Sequence, residues 1–126
     1  MTTAKPSRTS AALPADVGIV TVSYNSSGQL ETFLPGAVST LNTPSHVMVA
    51  DNDSADIETT QRLAAAWGAQ VVRLDRNAGY GAAINAGVVA LPAACSIVLI
   101  SNPDVTLTAE TVSRLRAALL AEPTIG

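Results

Sequence analysis

The sequence predicts an α/β domain in which parallel strands form one sheet with helices on both faces. Short runs of β-branched and aliphatic residues alternate along the chain with longer stretches of helical periodicity. Regular alternation of this kind is typical of parallel strands joined by right-handed crossovers. Three of the four short runs are apolar nearly throughout rather than at every second position, as expected for strands that are covered on both faces.

Four strands are predicted from these runs, each followed by residues that favour turns. They comprise residues 17–23, 46–51, 70–74 and 96–101. Because the runs are short and rich in β-branched and aliphatic residues, they predict buried strands of a parallel sheet.

Four helical patterns separate and follow the strands, at residues 30–41, 57–67, 82–91 and 108–121. Before the first, Ser26 and Gln29 have the spacing of a capping box. Pro35 predicts a kink or a split in that helix, because its ring removes one hydrogen bond and crowds the preceding turn. Gly68 ends the second helix, and Thr108 is the predicted N-cap of the last. The small residues of the third helix should let its backbone approach the sheet closely.

The chain of 126 residues has room for one domain, and a hydrophobic content of 48% suffices for a core. Residues 1–15 lack the apolar segment of a secretory signal and predict a flexible leader, so that the folded domain comprises residues 16–126. An apolar step begins at Ile125, where a further strand would start, and we therefore expect a truncated domain. An exposed edge strand would favour a homodimer.

Composition excludes several classes of protein. With 13% charged residues and a net charge of −3, the chain has no broad basic face for nucleic acid or an acidic membrane surface. The longest apolar stretch, residues 86–100, is interrupted and is shorter than the roughly 20 residues of a membrane helix, so no transmembrane segment is expected. Cys95 is the only cysteine, which excludes an internal disulfide and fits a reducing compartment such as the cytoplasm.

Polar residues follow every predicted strand. In an open parallel sheet, ligands bind beyond the carboxyl ends of the strands, so the four polar clusters should form one site. The clusters contain Ser23, Tyr24 and Asn25, then Asp51 and Asn52, then Asn77, Gly79, Tyr80 and Gly81, and finally Asn102 and Asp104. Each of these residue types alone is also typical of turns and helix caps. The coincidence of an aromatic ring, carboxylates, amides and a glycine pair at one edge indicates a binding site.

The third cluster favours an anionic ligand. Its Asn77-x-Gly79-x-Gly81 pattern precedes a helix, where backbone amides can meet a diphosphate and glycine permits close approach. It matches the dinucleotide fingerprint poorly, because Ile84 occupies the third glycine position. Asn85 lies in an otherwise apolar helix, where an unpaired amide would cost about 1 to 3 kcal/mol. It therefore either caps a neighbouring loop or helps to bind the ligand.

Asp104 is the candidate metal ligand, because it follows an apolar strand and a stiff Asn-Pro step. Mg is typically held by one or two carboxylates together with substrate phosphates. The alternative is an Asp that merely turns the chain into the last helix. His46 has no partner at zinc-ligand spacing, which favours a structural role. The sequence also has no nucleophile elbow of the kind that hydrolases use.

These segments together resemble glycosyltransferase family 2, the inverting GT-A enzymes, and in particular its rhamnosyltransferase-like branch. The matching segments are Val-Thr-Val-Ser-Tyr-Asn at 20–25, Val-Ala-Asp-Asn-Asp-Ser at 49–54, Asn-Ala-Gly-Tyr-Gly-Ala-Ala-Ile-Asn-Ala-Gly at 77–87 and Ser-Asn-Pro-Asp-Val at 101–105. The resemblance spans residues 17–126 and implies a Rossmann-like GT-A fold that carries the nucleotide-sugar-binding half only.

The resemblance also implies roles for individual residues. Tyr24 would lie against the base of the donor, and Asp51 would hydrogen-bond the edge of that base. Residues 77–81 would line the nucleotide and sugar, and Asp104 would contact Mg or Mn that bridges the diphosphate. Asn102 departs from the acidic residue found in many relatives, which implies weaker metal affinity. The catalytic base of relatives lies beyond residue 126, so none is assigned here.

By the same resemblance, the reaction is an inverting transfer of a hexosyl group from a dTDP- or UDP-linked sugar, with dTDP-rhamnose as the specific expectation. The acceptor would be a polysaccharide or a lipid-linked carbohydrate of the cell wall, which implies work at the inner face of the membrane. One alternative stays open, a noncatalytic nucleotide-binding or assembly module. Residues 24–28 argue against two others. A nucleotidyltransferase would usually have a glycine- and arginine-rich loop there, but this loop has no basic residue, and a dinucleotide-dependent oxidoreductase would need more glycines than Gly28 alone.

Overall fold

The computed structural model describes residues 13–122 and 124. In chain order the elements are β1 (Val17–Ser23), α1 (Ser27–Ser39), a 3₁₀ turn (Pro44–His46), β2 (Val47–Asp51), α2 (Ile57–Trp67), β3 (Gln70–Arg73), α3 (Tyr80–Ala90), β4 (Ile97–Ile100) and α4 (Ala109–Ala121). The four strands form one parallel sheet in the order β3-β2-β1-β4. The predicted α/β fold class is therefore confirmed.

The direction in which the sheet grows reverses at β1. From β1 the chain adds β2 and then β3 on one side, and it returns to place β4 on the other side of β1. Such a reversal leaves neighbouring loops diverging at the carboxyl ends of the two strands. The crevice expected of a ligand-binding α/β protein consequently lies between the loops that follow β1 and β4.

Helices cover the two faces of the sheet unequally. Residues of α1, α2 and α4 pack on one face, around the core residues Val17, Ile19, Leu30, Phe33, Leu34, Val47, Val49 and Val112. The other face packs against α3, around Val20, Met48, Ala50 and Ala83. Because successive strand residues point to opposite faces, odd-numbered residues of β1 and β2 face α1 and α2 and even-numbered residues face α3.

The third helix approaches the sheet closely, as its small residues predict. A Cβ atom at Gly87 would lie 2.6 Å from Val20 Cγ1 and 3.3 Å from Ala50 Cβ. Real side chains do not pack at the shorter of these distances, so only glycine permits this separation between α3 and the centre of the sheet.

The capping box predicted at the start of the first helix does not form. α1 begins at Ser27 with Ser26 as its N-cap residue, as predicted, but the Ser26 side chain makes no capping bond. Its hydroxyl instead donates to the carbonyl of Tyr24 and accepts from the Tyr24 amide. Pro35 lies inside one continuous helix. The predicted split does not occur, because buried residues on both sides of Pro35 hold the helix against the sheet and offset the lost hydrogen bond.

Other boundaries are close to their predictions. Gly68 has the left-handed backbone expected after α2, with φ of 76°, and the Thr108 side chain accepts from the Thr111 amide as an N-cap. The second strand starts at Val47, because His46 belongs to the preceding 3₁₀ turn, where it is buried. α3 begins at Tyr80, two residues before its predicted start.

The ends of the chain are described only in part. Residues 1–12 of the predicted leader lie outside the described residues, as do Ile125 and Gly126, where a further strand was expected. Pro14 is described and buried, and its carbonyl accepts from the Asn42 amide at 3.3 Å. None of the described helices combines the length and the apolar character needed to cross a membrane.

Candidate functional site

A cavity of about 390 Å³, called the crevice below, opens at the carboxyl ends of β1 and β4. It lies where the strand order reverses, as expected for a ligand site in this class of fold. The crevice is lined by Val22, Tyr24, Ser26, Gln29, Asn52, Asn77, Tyr80, Asn102, Pro103 and Asp104. All four loops after the strands contribute to this lining.

The structure brings half of the predicted site residues together. The predicted residues that line the crevice are Tyr24, Asn52, Asn77, Tyr80, Asn102 and Asp104. The predicted residues outside its lining are Ser23, Asn25, Asp51, Gly79, Gly81 and Asn85. Gln29 lines the crevice although the sequence suggested only a capping role for it. Its position in the first turn of a helix that follows a site loop is the signal that could have identified it.

The alternation of side chains along the strands explains part of this division. Ser23 and Asp51 are paired in register across β1 and β2, and they point to the face that α1 and α2 cover. Val22 belongs to the opposite face, and Tyr24 and Asn52 join it in the lining of the crevice. Adjacent residues of one loop are thereby separated into a buried group and a crevice group.

The buried group is the Asp51 cluster, formed by Ser23, Asp51 and Ser54. Asp51 Oδ1 accepts from Ser23 Oγ at 2.6 Å and from Ser54 Oγ at 2.7 Å, and Oδ2 accepts from the Ser54 amide at 2.8 Å. All three residues are buried. A carboxylate away from water needs hydrogen-bond donors, and here the two serine hydroxyls and the Ser54 backbone amide supply them. The proposed contact between Asp51 and a base stays a prediction, since the structure shows this carboxylate turned inward.

The first two loops are joined further by hydrogen bonds around Asn25. The backbone amide of Asn25 donates to Ser54 Oγ at 2.8 Å, and its side-chain Oδ1 accepts from the Ala55 backbone amide at 2.8 Å. The Ser27 amide donates to Asp56 Oδ2 at 3.0 Å. Asn25 has a positive φ of 52°, a conformation that Asn tolerates better than most residues. These contacts fix the turn that leaves the neighbouring Tyr24 ring 51% exposed at the crevice.

Sequence reasoning assigned no role to Ser54 or Asp56. The signal for Ser54 was its spacing from Asp51, because an Asp side chain often accepts from a backbone amide two or three residues later. No comparable local spacing links Asp56 to its partner Ser27, since the two are separated by 29 positions. Only the folded arrangement of the two loops shows that contact.

The third loop is held by Asn52, which is only 4% exposed. Its Nδ2 donates to the Gly79 carbonyl at 3.1 Å, and its Oδ1 accepts from the Ala78 amide at 3.2 Å. Gly79 has φ of 94°, in the region that favours glycine, and it precedes α3 without a side-chain cap. The first amides of α3 therefore have no acceptor within the helix, which is the arrangement that binds anions at helix starts.

The third and fourth loops meet at Tyr80 and Asn102. The Tyr80 hydroxyl donates to Asn102 Oδ1 at 3.1 Å, and the Tyr80 ring is 51% exposed. Asp104 lies two residues further and is exposed. It is the one charged residue among the described residues that line the crevice. Within the part of the chain that is described, no group of three or more His, Cys, Asp or Glu side chains forms a metal site.

The structure contradicts the apolar surroundings that the sequence predicted for Asn85. Both predicted roles supposed that its amide lies in apolar surroundings, but Asn85 is exposed on α3. Water satisfies an exposed amide, so neither a capped loop nor a ligand is required to account for it.

A parallel sheet with a polar crevice at its switch point is the arrangement of open α/β proteins that bind ligands beyond the carboxyl ends of their strands. The family is more specific. Residues 18–126 match the model described as Glycosyl transferase family 2, and the chain therefore belongs to that family. No curated protein sequence matches the chain.

Solved structures with a similar fold include S. aureus TarS 1-349, with a TM-score of 0.65 and 20% identity over 82% of this chain and 32% of that chain. The same protein in complex with UDP-GlcNAc matches with a TM-score of 0.65 and 20% identity, over 82% of this chain and 31% of that chain. In complex with UDP it matches with a TM-score of 0.64 and 19% identity, over 82% and 32%. The Rossmann-like GT-A fold is thereby confirmed, and the chain spans about a third of the length of these structures.

Proposed function

We propose that the crevice is the donor site of a glycosyltransferase and binds a nucleoside diphosphate sugar. The observation that carries this proposal is the composition of the crevice. Two half-exposed tyrosines, several amides and one carboxylate surround a cavity of about 390 Å³ at the point where the strand order reverses. Membership of glycosyl transferase family 2 supports the same assignment.

The two tyrosine rings offer surfaces on which a nucleobase would stack. Tyr24 and Tyr80 each expose about half of their surface at the crevice, although burial of an aromatic ring is favourable. Stacking of a base on an aromatic ring contributes about 1 to 3 kcal/mol in proteins that bind single-stranded nucleic acids. A base held by Tyr24 would leave the diphosphate free to reach the start of α3, where backbone amides favour negative charge.

We propose a divalent cation at this site from the charges of the crevice and its ligand. A diphosphate is an anion, and the only charged residue lining the described crevice is itself negative. Bringing the two together without a cation would place like charges next to each other. The exposed carboxylate of Asp104 fits a cation that completes its coordination with phosphate oxygens and water, as Mg usually does. Mg or Mn held there would stabilise the charge that develops on the departing nucleoside diphosphate.

The reaction we propose is a single displacement with inversion. An acceptor hydroxyl oxygen forms a bond to the anomeric carbon while the bond from that carbon to the diphosphate oxygen breaks. The hydroxyl proton passes to a general base, which must lie within hydrogen-bond reach of the acceptor. Residues of this chain would bind and orient the donor, and we assign none of them as the base.

Two donor classes compete within this proposal. The TarS structures with UDP-GlcNAc and UDP support a UDP-linked sugar. The rhamnosyltransferase-like motifs support dTDP-rhamnose, with transfer to a cell-wall polysaccharide or to a lipid-linked acceptor at the inner face of the membrane. A comparison of UDP with dTDP separates the two, because they differ at the base and at the 2′-hydroxyl of the ribose.

Calorimetric titration tests the proposal. We expect UDP or dTDP to bind in the presence of Mg or Mn and to bind at least about tenfold more weakly after Asp104→Ala, a loss of roughly 1.4 kcal/mol. Asp75→Ala is the matched control, because Asp75 is an exposed carboxylate at the same edge of the sheet and outside the crevice lining. Binding that needs no metal and survives Asp104→Ala would remove the assignment of the donor site.

A further inference from the structure

We infer that Asn52 is a positioning residue, which holds the third loop and the start of α3 in the geometry that the ligand requires. The hydrogen bonds by which Asn52 attaches the loop are present in the protein without a ligand. The effect of this attachment on ligand binding rests on the proposed function, so loop attachment and ligand affinity are measured separately.

The nitrogen and the oxygen of the Asn52 side-chain amide form hydrogen bonds with consecutive residues of the third loop. Nδ2 donates to the Gly79 carbonyl at 3.1 Å, and Oδ1 accepts from the Ala78 amide at 3.2 Å. A side-chain amide offers two N–H donors and one oxygen acceptor, so this pairing leaves one N–H and one lone pair. With Asn52 only 4% exposed, little of the group is accessible to a ligand.

Asn52 projects from a firmly held part of the sheet edge. The backbone amide of Asn52 donates to the Ser23 carbonyl at 2.9 Å, which extends the pairing of β1 with β2 by one residue. The preceding residue, Asp51, is buried and accepts the three hydrogen bonds of the Asp51 cluster. Movement of Asn52 would therefore disturb the centre of the sheet, whereas the loop it holds has no such support.

The third loop depends on Asn52 for its attachment. Among the hydrogen bonds of the described residues, the two made by Asn52 are the ones that tie residues 75–79 to another part of the fold. The remaining side-chain bond in this loop is local, from the Gly79 amide to Asn77 Oδ1 at 3.1 Å, and is exposed to solvent. The Gly79 carbonyl also accepts from the Ala83 amide, which is the first hydrogen bond of α3.

The start of α3 consequently takes its position from Asn52. Gly79 has φ of 94° and no side-chain cap, so its own chemistry does not fix the direction in which the helix begins. The amides proposed to face the diphosphate follow directly, and so does Tyr80, whose hydroxyl reaches Asn102. Loss of the Asn52 amide should let this wall of the crevice move while the sheet stays intact.

The test compares the unaltered chain with Asn52→Ala, Asn52→Asp and the control Asn42→Ala. Asn42 is exposed and lies between α1 and the 3₁₀ turn, outside the crevice lining. Three quantities are measured: UDP affinity in the presence of Mg by calorimetry, the midpoint of thermal unfolding, and amide hydrogen exchange of the ligand-free proteins. The informative amides are those of Gly79 and Ala83, which do not bond to Asn52.

For Asn52→Ala we expect UDP affinity to fall by about tenfold and exchange at Gly79 and Ala83 to accelerate by a similar factor. Exchange at Val20 and Val49, in the centre of the sheet, should stay within about twofold of the unaltered chain. Asn52→Asp keeps the acceptor for Ala78 but replaces the donor to Gly79 with an oxygen that repels the carbonyl, so exchange at Gly79 and Ala83 should again be faster than in the unaltered chain. Asn42→Ala should change none of these quantities.

Each other outcome has one meaning. Weaker UDP binding without faster exchange at Gly79 and Ala83 would show that Asn52 contacts the ligand directly, and it would overturn the inference. An unaltered chain that fails to bind UDP and dTDP would overturn the proposed function, while exchange in the ligand-free variants would still decide whether Asn52 holds the loop. If Asn52→Ala does not fold, unchanged exchange in Asn52→Asp would overturn the inference.

Discussion

The Asp51 cluster and the crevice adjoin each other at the first two loops, yet they differ in burial and in hydrogen bonding. In the cluster, Ser23, Asp51 and Ser54 are buried, and both oxygens of the carboxylate accept hydrogen bonds. In the crevice, Tyr24 is half exposed, and Asn52 binds the next loop. Consecutive polar residues at the end of a strand therefore have different surroundings, depending on the face of the sheet to which each points.

This difference separates stability from binding. A buried carboxylate with three donors contributes to folding, because its removal leaves hydroxyl and amide groups without partners away from water. An exposed carboxylate such as Asp104 has water as an alternative partner, so folding does not depend on it. Substitutions in the two groups should therefore affect different measurements.

The largest expected effect is the loss of stability on Asp51→Ala. We expect the free energy of unfolding to fall by about 3 kcal/mol, because two hydroxyls and one amide lose a buried acceptor. Asp104→Ala should change it by less than about 0.5 kcal/mol. Urea denaturation of the two variants measures both values, and similar losses in both would mean that the cluster and the crevice are not distinct.

The next effect distinguishes the two ends of α3. Gly87→Ala should destabilise the fold by about 1 to 3 kcal/mol, because the new methyl group would overlap Val20 and crowd Ala50. Gly81→Ala is the matched control, since nothing lies within 4 Å of a Cβ there and alanine favours helix. Thermal unfolding of the pair tests whether α3 is held at Gly87. A neutral Gly87→Ala would contradict the close packing.

A smaller effect is expected for the contact between the third and fourth loops. Tyr80→Phe removes the hydroxyl that donates to Asn102 and retains the ring. We expect UDP affinity to fall by about two- to fivefold, since a partly exposed hydrogen bond contributes about 0.5 to 1 kcal/mol. Urea denaturation should show no loss of stability beyond about 0.5 kcal/mol. A large loss of stability with unchanged affinity would place Tyr80 with the structural residues.

The smallest effect concerns an ion pair at the opposite edge of the sheet, between Asp16 and Arg116. The guanidinium makes two contacts, at 2.8 and 2.9 Å, and this pairing lowers the pKa of the Asp16 carboxyl. A lowered pKa in the folded state adds stability above the ordinary aspartate pKa of about 3.9, and that stability is lost as the pH falls through the lowered value.

Because both side chains of this pair are about one-third exposed, water screens the ion pair and its contribution to stability should be small. The test is the difference in unfolding free energy between the unaltered chain and Asp16→Asn, measured near pH 7 and again below the lowered pKa. The difference should shrink on acidification. A difference that grows at low pH would contradict the ion pair.

Much of the fold follows from local patterns in the sequence. The apolar runs identify all four strands to within one residue at each end, and Gly68 and Thr108 mark helix boundaries through their own backbone or side-chain chemistry. The capping box before α1 was predicted wrongly, because the Ser26 hydroxyl bonds to Tyr24 instead of capping the helix. Nothing in the spacing of these residues distinguishes the two uses of one hydroxyl.

The site was predicted at the level of loops and only in part at the level of residues. The alternation of side chains along β1 and β2 could have assigned Ser23 and Asp51 to the face that α1 and α2 cover, but this alternation does not extend into the turns that follow the strands. Burial on α3 was misjudged for a different reason. That helix is apolar around much of its surface, and Val89 is 85% exposed, so its composition says little about the surroundings of Asn85.

The proposed donor site is the crevice, and we expect no other surface of the described chain to receive a nucleoside diphosphate with a divalent cation. The most direct measurement is the change in backbone amide chemical shifts when UDP and Mg are added together. We expect the shifts to concentrate at residues 24–26, 52, 77–82, 102 and 104. Shifts that instead concentrate along β4 or near Asp16 would contradict the claim, as would no shift at millimolar ligand.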